Sequence, residues 1–464
     1  MLLRKIVALA VVAVFTVVVG LTGCNTSKST GEDAIIDGAG GSASSISGTV
    51  RVAYAGVQLE DGIDPLSGKT IRGFNTFFKE DFAKKYPNIK VELTSVPWAD
   101  FITKLQTMLL SKSVDVLGSG GAEKQLYDQG LLMEIDDLLA KDKDFKPGEL
   151  YLDATWNNSV FNKTLAGKRY GLPGALGQRM TIYDKKLFDD WGVEYLSEQP
   201  TPAEILEKAK KMTGKNPKTG EQNYGLYFDG NNLANSLFTA LQYYYNAPGY
   251  EGDLTDDFKS IKWKLNSPEM KKIFEWYVEA SKYCNPGFVS TQGNENFGKE
   301  KNVNAINLDI NGSGIIADYK MSKKKDMIER FVPVLNLGPK GEGWIACDNI
   351  VIAKSANNIA ASWEVAKYLA SYDFAKYIYE DFGGAPPIKN ADFIDPNDVY
   401  MKMAFDIAKV GHYNIHDSVP EFHESEILPL VSGFISKAAQ NNAPDIQKML
   451  DDLQVKAIKW SATK

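Results

Sequence analysis

Patterns typical of strands and of helices alternate in the first part of the chain's predicted folded body. Residues 49–54, 89–93 and 114–117 have the apolar spacing of strands, and segments 71–82 and 101–109 repeat apolar residues every three or four positions. Strand, helix, strand, helix and strand over so short a length predict a parallel sheet that is covered by helices. We therefore expect an α/β fold.

The same alternation returns later in the chain. Strand patterns occur at residues 304–308 and 350–353, and a long helical pattern at 360–382 could break near Tyr372. The chain has 464 residues, of which 44 % are hydrophobic and 11 % aromatic, which is enough for two or more domains with a sizeable core. A net charge of −7 without a basic tract argues against a nucleic-acid partner.

The N-terminal residues carry the features of a secretory signal. Basic residues precede an almost wholly apolar run at 6–21, which is short for a membrane-spanning helix, and small residues directly precede Cys24. Residues 21–24, LTGC, resemble a bacterial lipobox, in which cleavage before the cysteine leaves a lipid on its sulfur. The sequence therefore predicts a lipoprotein signal peptide at 1–23 and lipidation of Cys24. An uncleaved membrane anchor is the alternative.

The segment that follows the signal, residues 24–48, is rich in Gly, Ser, Ala and Thr. Such a segment buries too little apolar surface to offset its ordering entropy, so we expect a flexible tether between the lipid and the folded body. No later segment approaches the about 18 unbroken apolar residues of a membrane span. These features predict a protein that is held by lipid at the extracellular face of the bacterial cell membrane.

Cysteine and histidine offer few candidates for further chemistry. Cys284 and Cys347 could form one disulfide in an oxidising compartment, or they could remain two buried free thiols. His412, His416 and His423 cluster near one another, and a His-x3-His spacing can bind zinc from one helical face. A glycine and a proline flank this segment and argue against a regular helix, so we predict no metal site. The chain has no phosphate-loop motif, and we predict no cofactor.

Several segments together carry the pattern of a known family: 78–117, 167–193, 301–319, 350–371 and 383–390. The second contains GKRYGLP followed by YDKKLF, where the family has G-K-x-Y-x-L-P followed by Y-N-K-x-L-F, so Asp184 replaces the usual Asn. In their order and spacing, these segments resemble the extracellular solute-binding proteins of ABC importers. The resemblance is to the maltose-binding-like family (family 1), which takes up sugars, and it covers the chain from residue 49 onward.

The resemblance implies a two-lobe fold of the periplasmic-binding-protein type (type II). Each lobe would be a sheet flanked by helices, with the ligand cleft between the lobes. Lobe one is expected at 49–176 and 313–372, and lobe two at 177–312 and 373–464. The lobes of such proteins close over a ligand by a hinge motion. Closure would then present a surface to the transmembrane subunits of the importer.

A sugar site needs aromatic rings as flat apolar platforms and planar polar side chains at the edges of the sugar. In an α/β cleft such residues lie at strand ends and in loops. The candidate ligand contacts that meet these conditions are Trp98, Asp100, Ser119, Gly120, Gln178, Arg179, Asp229, Asn231, Tyr243, Asp309, Asn311, Trp344, Asp348, Asn349 and Phe422. Structural roles remain open for them, because Asp100 could cap a helix, Arg179 could pair with a structural acid and Trp344 could pack between lobes.

The leading hypothesis is a lipid-anchored sugar-binding subunit of an ABC importer, with an oligosaccharide as its ligand and no enzymatic activity. We expect a monomer without cofactor, whose partners are the importer's transmembrane subunits. A surface-anchored glycoside hydrolase is the first alternative, since it also needs a cleft with aromatic rings and carboxylates. A binding protein for a non-sugar solute is the second, and an adhesion or sensing lipoprotein is the third.

Overall fold

The computed structural model describes twelve segments of the chain. They are residues 45–63, 70–97, 101–118, 120, 123–157, 162–164, 167–228, 236–252, 260–285, 297–311, 325–410 and 419–463. At Gln178, at residues 309–311 and at Pro420 the description covers the backbone alone. The predicted signal peptide, the predicted lipidation site Cys24 and most of the predicted tether lie outside the described residues.

The strands carry the predicted alternation and extend it. They are β1 (Gly48–Ala55), β2 (Gly62–Ile63), β3 (Thr70–Ile71), β4 (Ile89–Val96), β5 (Val116–Gly118), β6 (Gly171–Asp184), β7 (Gly214–Lys215), β8 (Gln222–Tyr227), β9 (Tyr250–Glu251), β10 (Lys262–Trp263), β11 (Asn304–Asn311), β12 (Phe331–Val334) and β13 (Ile345–Ile352). The main sheet has the order β4-β1-β5-β13-β6-β11-β8-β7, and β12 also pairs with β6. As predicted, β1 is parallel to both β4 and β5.

Helices connect these strands. They are α1 (Phe74–Phe77), α2 (Ala83–Lys85), α3 (Phe101–Leu110), α4 (Glu123–Asp128), α5 (Asp136–Lys141), α6 (Pro147–Leu150), α7 (Lys185–Trp191), α8 (Pro202–Lys211), α9 (Ser236–Tyr245), α10 (Pro268–Ala280), α11 (Lys325–Arg330), α12 (Ile359–Leu369), α13 (Tyr372–Phe382), α14 (Val399–Val410), α15 (Pro420–Phe422), α16 (Leu428–Ala439) and α17 (Ile446–Ser461). Short π-helical turns, Phe78–Phe82 and His423–Ile427, continue α1 into α2 and α15 into α16.

The helical pattern at 360–382 forms two helices because a new cap interrupts it. Helix α12 ends at Leu369, and the side chain of Ser371 then accepts a hydrogen bond from the backbone N–H of Phe374, which starts α13. A serine in this position satisfies one of the N–H groups that a helix start leaves unpaired. The break therefore falls where the sequence allowed one, beside Tyr372.

The long strand β6 joins the two sections of the main sheet. Its residues 171–178 pair antiparallel with β13, which continues to β5 and β1. Its residues 179–184 pair antiparallel with β11 and β12, and β11 leads on to β8. One continuous 14-residue strand thus belongs to both sections of the main sheet.

Each section of the sheet packs against a hydrophobic cluster of its own, and a third cluster along β6 contains residues of both sections. Beside β1, the rings of Phe77 on α1 and Tyr377 on α13 stack with centroids 4.0 Å apart. Beside β8 and β11, the ring of Phe274 on α10 meets Phe434 on α16 edge-on at 5.0 Å. Separate cores of this kind are expected of two lobes, although the residue-level lobe boundaries stay a prediction.

Buried charges and thiols complete the interior. The Arg330 guanidinium makes a two-pronged ion pair with Asp184, which is fully buried at the end of β6. Cys284 and Cys347 are both buried and free, so of the two alternatives, a disulfide or two buried thiols, the structure has the second.

In the part of the chain that the structure describes, no helix has the length and apolar character needed to cross a bilayer.

Candidate functional site

A small cavity lies where the parallel strands β1 and β5 end. Its volume is about 160 Å³. The described residues that line it are Tyr54, Ala55, Gly56, Val57, Gly118, Ala175, Asp348, Asn349, Ile378 and Phe382. The carboxyl ends of parallel strands are where open α/β sheets bind ligands, so this strand-end cavity is the candidate site.

A tyrosine ring forms one wall of the strand-end cavity. Tyr54, the next-to-last residue of β1, lies opposite Gly118 in the sheet register. A Cβ atom at Gly118 would lie 2.2 Å from Cδ2 of Tyr54, so only glycine leaves room for the ring. On its other side the Tyr54 ring meets Phe74 at 5.2 Å and Phe374 at 5.6 Å. The ring is therefore held rigidly, and burial raises the pKa of its hydroxyl far above the ordinary value.

A carboxylate forms the polar part of the wall. Asp348 lies on β13 opposite Ala175 of β6, at a register shift between Asp348 and Asn349. Glycine at 174 permits this close packing, because a Cβ there would lie 2.8 Å from Cδ1 of Ile350. The shift leaves Asp348 half-buried and facing the cavity.

The surroundings of Asp348 favour its protonated form. Burial is the largest influence and the nearby negative charge of Glu123 is the second, while Arg179 opposes them. Together they raise the pKa of Asp348 to about 7. The carboxyl group can therefore exist in either protonation state near neutral pH, as a hydrogen-bond acceptor when ionised and as a donor when protonated.

Glu123 supports this wall from behind. Its side chain is 2 % exposed, and its Oε1 accepts a hydrogen bond of 3.0 Å from the backbone N–H of Asn349. The Asn349 side chain is fully buried and donates to the carbonyl of Cys347 at 2.9 Å. The bond from Asn349 to Glu123 connects strand β13 to helix α4, and the bond to Cys347 fixes the Asn349 side chain within β13.

Arg179 and Trp344 lie together near this group. The guanidinium carbon of Arg179 is 5.8 Å from the centroid of the Trp344 ring, within range of a cation–π contact. The Nε of Arg179 is buried and has no hydrogen-bond partner among the described residues. The backbone carbonyl of Arg179 accepts a bond of 2.9 Å from the Asn336 side chain, which fixes this part of β6.

Comparison with known proteins identifies the fold around this site. The profile of the family described as bacterial extracellular solute-binding protein matches residues 67–376, which is more than half of the chain. The chain belongs to this family. Its predicted recognition as a solute-binding protein is thereby confirmed.

Solved structures agree with this assignment. This solute-binding protein is similar to an ABC substrate-binding protein of Listeria monocytogenes in complex with cycloalternan (19 % identity, TM-score 0.66, 89 % of this chain and 99 % of that one). It is also similar to the sugar-binding protein MalE of Xanthomonas citri (17 % identity, TM-score 0.67, 90 % of this chain and 98 % of that one). A third similar structure is an ABC transporter solute-binding protein of Agrobacterium vitis with bound D-mannitol (22 % identity, TM-score 0.63, 89 % of this chain and 98 % of that one). At these identities the likeness concerns the fold, and it confirms the predicted two-lobe α/β architecture of type II.

The predicted ligand contacts of this solute-binding protein fall into several groups. Asp348 and Asn349 line the strand-end cavity, and Arg179 and Trp344 lie together nearby. Gly120 and Tyr243 are half-buried, Tyr243 on α9. Five predictions fall outside the described residues: Trp98, Asp100, Ser119, Asp229 and Asn231. Three have a described backbone alone: Gln178 on β6, and Asp309 and Asn311 on β11.

Phe422 occupies a core position. It is fully buried, with its ring centroid 5.5 Å from that of Trp263 and 5.5 Å from that of Trp460. It therefore offers no exposed surface to a ligand in this structure, and this position gives no support to its predicted role in binding. A buried aromatic ring and one that lines a cleft look alike in the sequence.

Metal-binding residues do not gather in the described part of the chain. No group of three or more His, Cys, Asp or Glu side chains could hold a metal ion among the described residues. His423 is fully buried, whereas His412 and His416 lie outside the described residues.

Sequence reasoning missed several cavity residues. The sequence predicts Tyr54 only as a strand residue, and it singles out neither Ile378 and Phe382 of the lining nor Glu123 behind it. Ile378 and Phe382 come from α13, more than 300 residues after Tyr54 in the chain. Glu123 carried a weak signal, because it directly follows the glycine-containing loop at the end of a strand.

Proposed function

We propose that this solute-binding protein captures a carbohydrate outside the cell and delivers it to the membrane subunits of an ABC importer. Two of the similar solved structures hold polyhydroxylated molecules, cycloalternan and D-mannitol, and a third is named a sugar-binding protein. Such ligands present apolar C–H faces and hydroxyl groups. A site for them combines a flat apolar surface with hydrogen-bond acceptors.

The composition of the strand-end cavity carries this proposal. Tyr54, Ile378 and Phe382 provide apolar surface, and the Asp348 carboxylate provides the acceptor. The volume of about 160 Å³ is smaller than the roughly 300–1,000 Å³ of a pocket that encloses a drug-sized molecule. The ligand we propose is an oligosaccharide whose terminal ring enters this cavity, while its other rings lie outside it.

The proposed role includes the location of the protein. The lipobox-like residues 21–24 support cleavage before Cys24 and attachment of a lipid there. The protein would then act as a lipid-anchored monomer on the extracellular face of the cell membrane, beside its importer. Ligand would favour the closed arrangement of the two lobes to the extent that it binds that arrangement more tightly.

The acidic residues at the cavity favour binding over hydrolysis. A glycoside hydrolase of the common type places two carboxyl groups on either side of the bond that it cleaves. Asp348 is the only acidic side chain among the described residues that line the cavity, and Glu123 is buried behind the wall. The described residues therefore offer a hydrogen-bonding carboxylate without an opposed partner.

A thermal-shift screen tests the proposal. Full-length protein purified in mild detergent would be heated with mono- and oligosaccharides and, for comparison, with peptides, polyols and organic acids. The sugars would be checked by mass spectrometry. A ligand present at a hundredfold excess over its dissociation constant stabilises the folded state by about 2.7 kcal/mol. Stabilisation by one class of intact sugar is the expected result. Turnover would favour the hydrolase, and stabilisation only by peptides, polyols or organic acids would replace carbohydrate as the ligand class.

A further inference from the structure

The strand-end cavity has an uneven charge distribution. Asp348 is the only side chain among its described lining residues that can carry a formal charge near neutral pH. No lysine or arginine is present among those lining residues. A ligand group that enters the cavity therefore meets a single potential negative charge and no described positive one.

The residues behind the lining add to this asymmetry. Glu123 is almost fully buried, its Oε1 is fixed by the backbone N–H of Asn349, and its charge acts on Asp348. The described positive charge that acts on Asp348 is Arg179, whose guanidinium lies over the ring of Trp344 and is not part of the cavity lining. The carboxylate of Glu123 thus lies behind the cavity wall, and the guanidinium of Arg179 lies outside the cavity lining.

An anionic ligand group would be unfavourable in such a cavity. Like charges that share a partly desolvated site repel more strongly than they do in water. A sugar hydroxyl, by contrast, can donate a hydrogen bond to the Asp348 carboxylate. We infer that the strand-end cavity selects neutral sugars over uronic acids, and that Asp348 is the residue that determines this specificity. The inference rests on the proposed carbohydrate function and names the class of carbohydrate.

The selection should depend on pH. Among the described residues, the charged or titratable groups around Asp348 are Tyr54 on β1, Glu123 on α4, Arg179 on β6 and Cys347 on its own strand. The pKa of Asp348 is raised to about 7, so the carboxylate becomes protonated as the pH falls below neutral. A uronic acid, whose carboxyl pKa lies near the ordinary value of about 4, stays ionised over the same range. Acidification therefore removes the negative charge of Asp348, while the uronic acid keeps its own.

Matched sugar pairs test this inference. Isothermal titration would compare glucose, galactose and mannose with glucuronic, galacturonic and mannuronic acid, at pH 8.5 and pH 5.5. The proteins would be the wild type, Asp348→Asn and the control Asp452→Asn, which removes an exposed carboxylate on α17. At pH 8.5 the wild type should bind a neutral sugar at least about tenfold more tightly than its uronic acid, which corresponds to about 1.4 kcal/mol.

The lower pH and the substitution Asp348→Asn should have the same effect on the preference for neutral sugars, because each removes the negative charge of Asp348. Both the lower pH and Asp348→Asn should reduce the preference to less than about threefold, and Asp452→Asn should leave the preference of the wild type unchanged. The wild type at low pH keeps the test valid if Asp348→Asn does not fold. Equal binding of a sugar and its uronic acid at pH 8.5 would overturn the inference, as would a preference that neither perturbation reduces. If the six monosaccharides do not bind but an oligosaccharide of the thermal-shift screen does, the same comparison is made between that oligosaccharide and its analogue that ends in a uronic acid. If no saccharide of either kind binds, the proposed carbohydrate function fails, and this inference falls with it.

Discussion

Tyr54 and Gly118 lie opposite each other on the parallel strands β1 and β5, and the tyrosine ring fills the space that a side chain at residue 118 would need. The contact is close enough that a Cβ atom at Gly118 would lie 2.2 Å from Cδ2 of Tyr54. The same ring forms a wall of the strand-end cavity. The absence of a side chain at Gly118 thus allows the position of the Tyr54 ring, and that ring shapes the candidate site.

Substitution of Gly118 by alanine should damage both stability and binding. The added methyl group has to push the Tyr54 ring away, and overpacking of this kind costs about 1–3 kcal/mol. Urea unfolding measures the loss, and the sugar screen measures binding. Gly433→Ala is the matched control, because a Cβ there meets nothing within 4 Å in the middle of α16. That control should gain about 0.5–1 kcal/mol from helix propensity. A Gly118→Ala protein as stable as the wild type would show that the ring is free to move.

The pH dependence of stability should reveal the environment of Asp348. Its pKa is about 7 in the folded protein against an ordinary value of 3.8, so the folded state holds the proton more tightly than the unfolded state does. Its contribution to stability is therefore fully present below pH 4 and declines as the pH rises toward 7. Relative to Asp348→Asn, the wild type should lose about 2 kcal/mol of unfolding free energy between pH 5 and pH 8.

Urea unfolding of both proteins across this range checks the prediction. Parallel pH profiles for the wild type and Asp348→Asn would contradict it, because they would mean that Asp348 titrates alike in the folded and unfolded states.

Loss of Arg330 should destabilise the end of strand β6. Its guanidinium binds both carboxylate oxygens of Asp184, at 2.8 and 2.6 Å, and the carboxylate is fully buried. Removal of one partner from a buried pair leaves an uncompensated charge and costs about 3–5 kcal/mol. Arg330→Ala should therefore shift the urea midpoint strongly. Lys402→Ala, which breaks an exposed pair with Asp406, should leave it unchanged, and equal effects of the two substitutions would argue against this account.

The two cysteines of the folded body should be unreactive until the protein unfolds. Cys284 and Cys347 are buried and free, and burial raises the pKa of the Cys284 thiol to about 12. Thiolate is the reactive form, so a thiol reagent should modify neither residue in the native state and both after denaturation. The measurement uses Cys24→Ser to remove the remaining thiol. Absence of modification after denaturation without reductant would indicate a disulfide.

Much of the fold could be predicted from the sequence because its signals are local. Periodicity located β1, β4, β5 and β11 and the helices α3 and α12 to within a few residues. The role of β6 as a strand shared by both parts of the sheet is set by pairing with partners more than 100 residues away, which periodicity does not report. Here the family motifs supplied the expected crossing between lobes.

The candidate site could be predicted only in part. The sequence predicts Asp348 and Asn349 because they precede a strand pattern and could add polar groups to a cleft. Both line the strand-end cavity, but they lie within the strand, which begins at Ile345. Tyr54 and Phe382 come together only through tertiary packing, and nothing local distinguishes them from core residues. Phe422 shows the converse, since its ring packs against those of Trp263 and Trp460 in the core. Whether an aromatic ring lies in the core or lines a cavity is decided by tertiary packing, which the local sequence does not encode.

Hydrogen exchange of the protein with and without its best sugar is the most direct test of the central claim. The sugar would be the one that stabilises the protein most in the thermal-shift screen. We predict slower exchange in peptides that cover residues 54–57 and 345–349, at the strand-end cavity, and unchanged exchange in α16. Protection limited to regions away from these strand ends, or no protection at saturating sugar, would contradict the proposal that the cavity receives a carbohydrate.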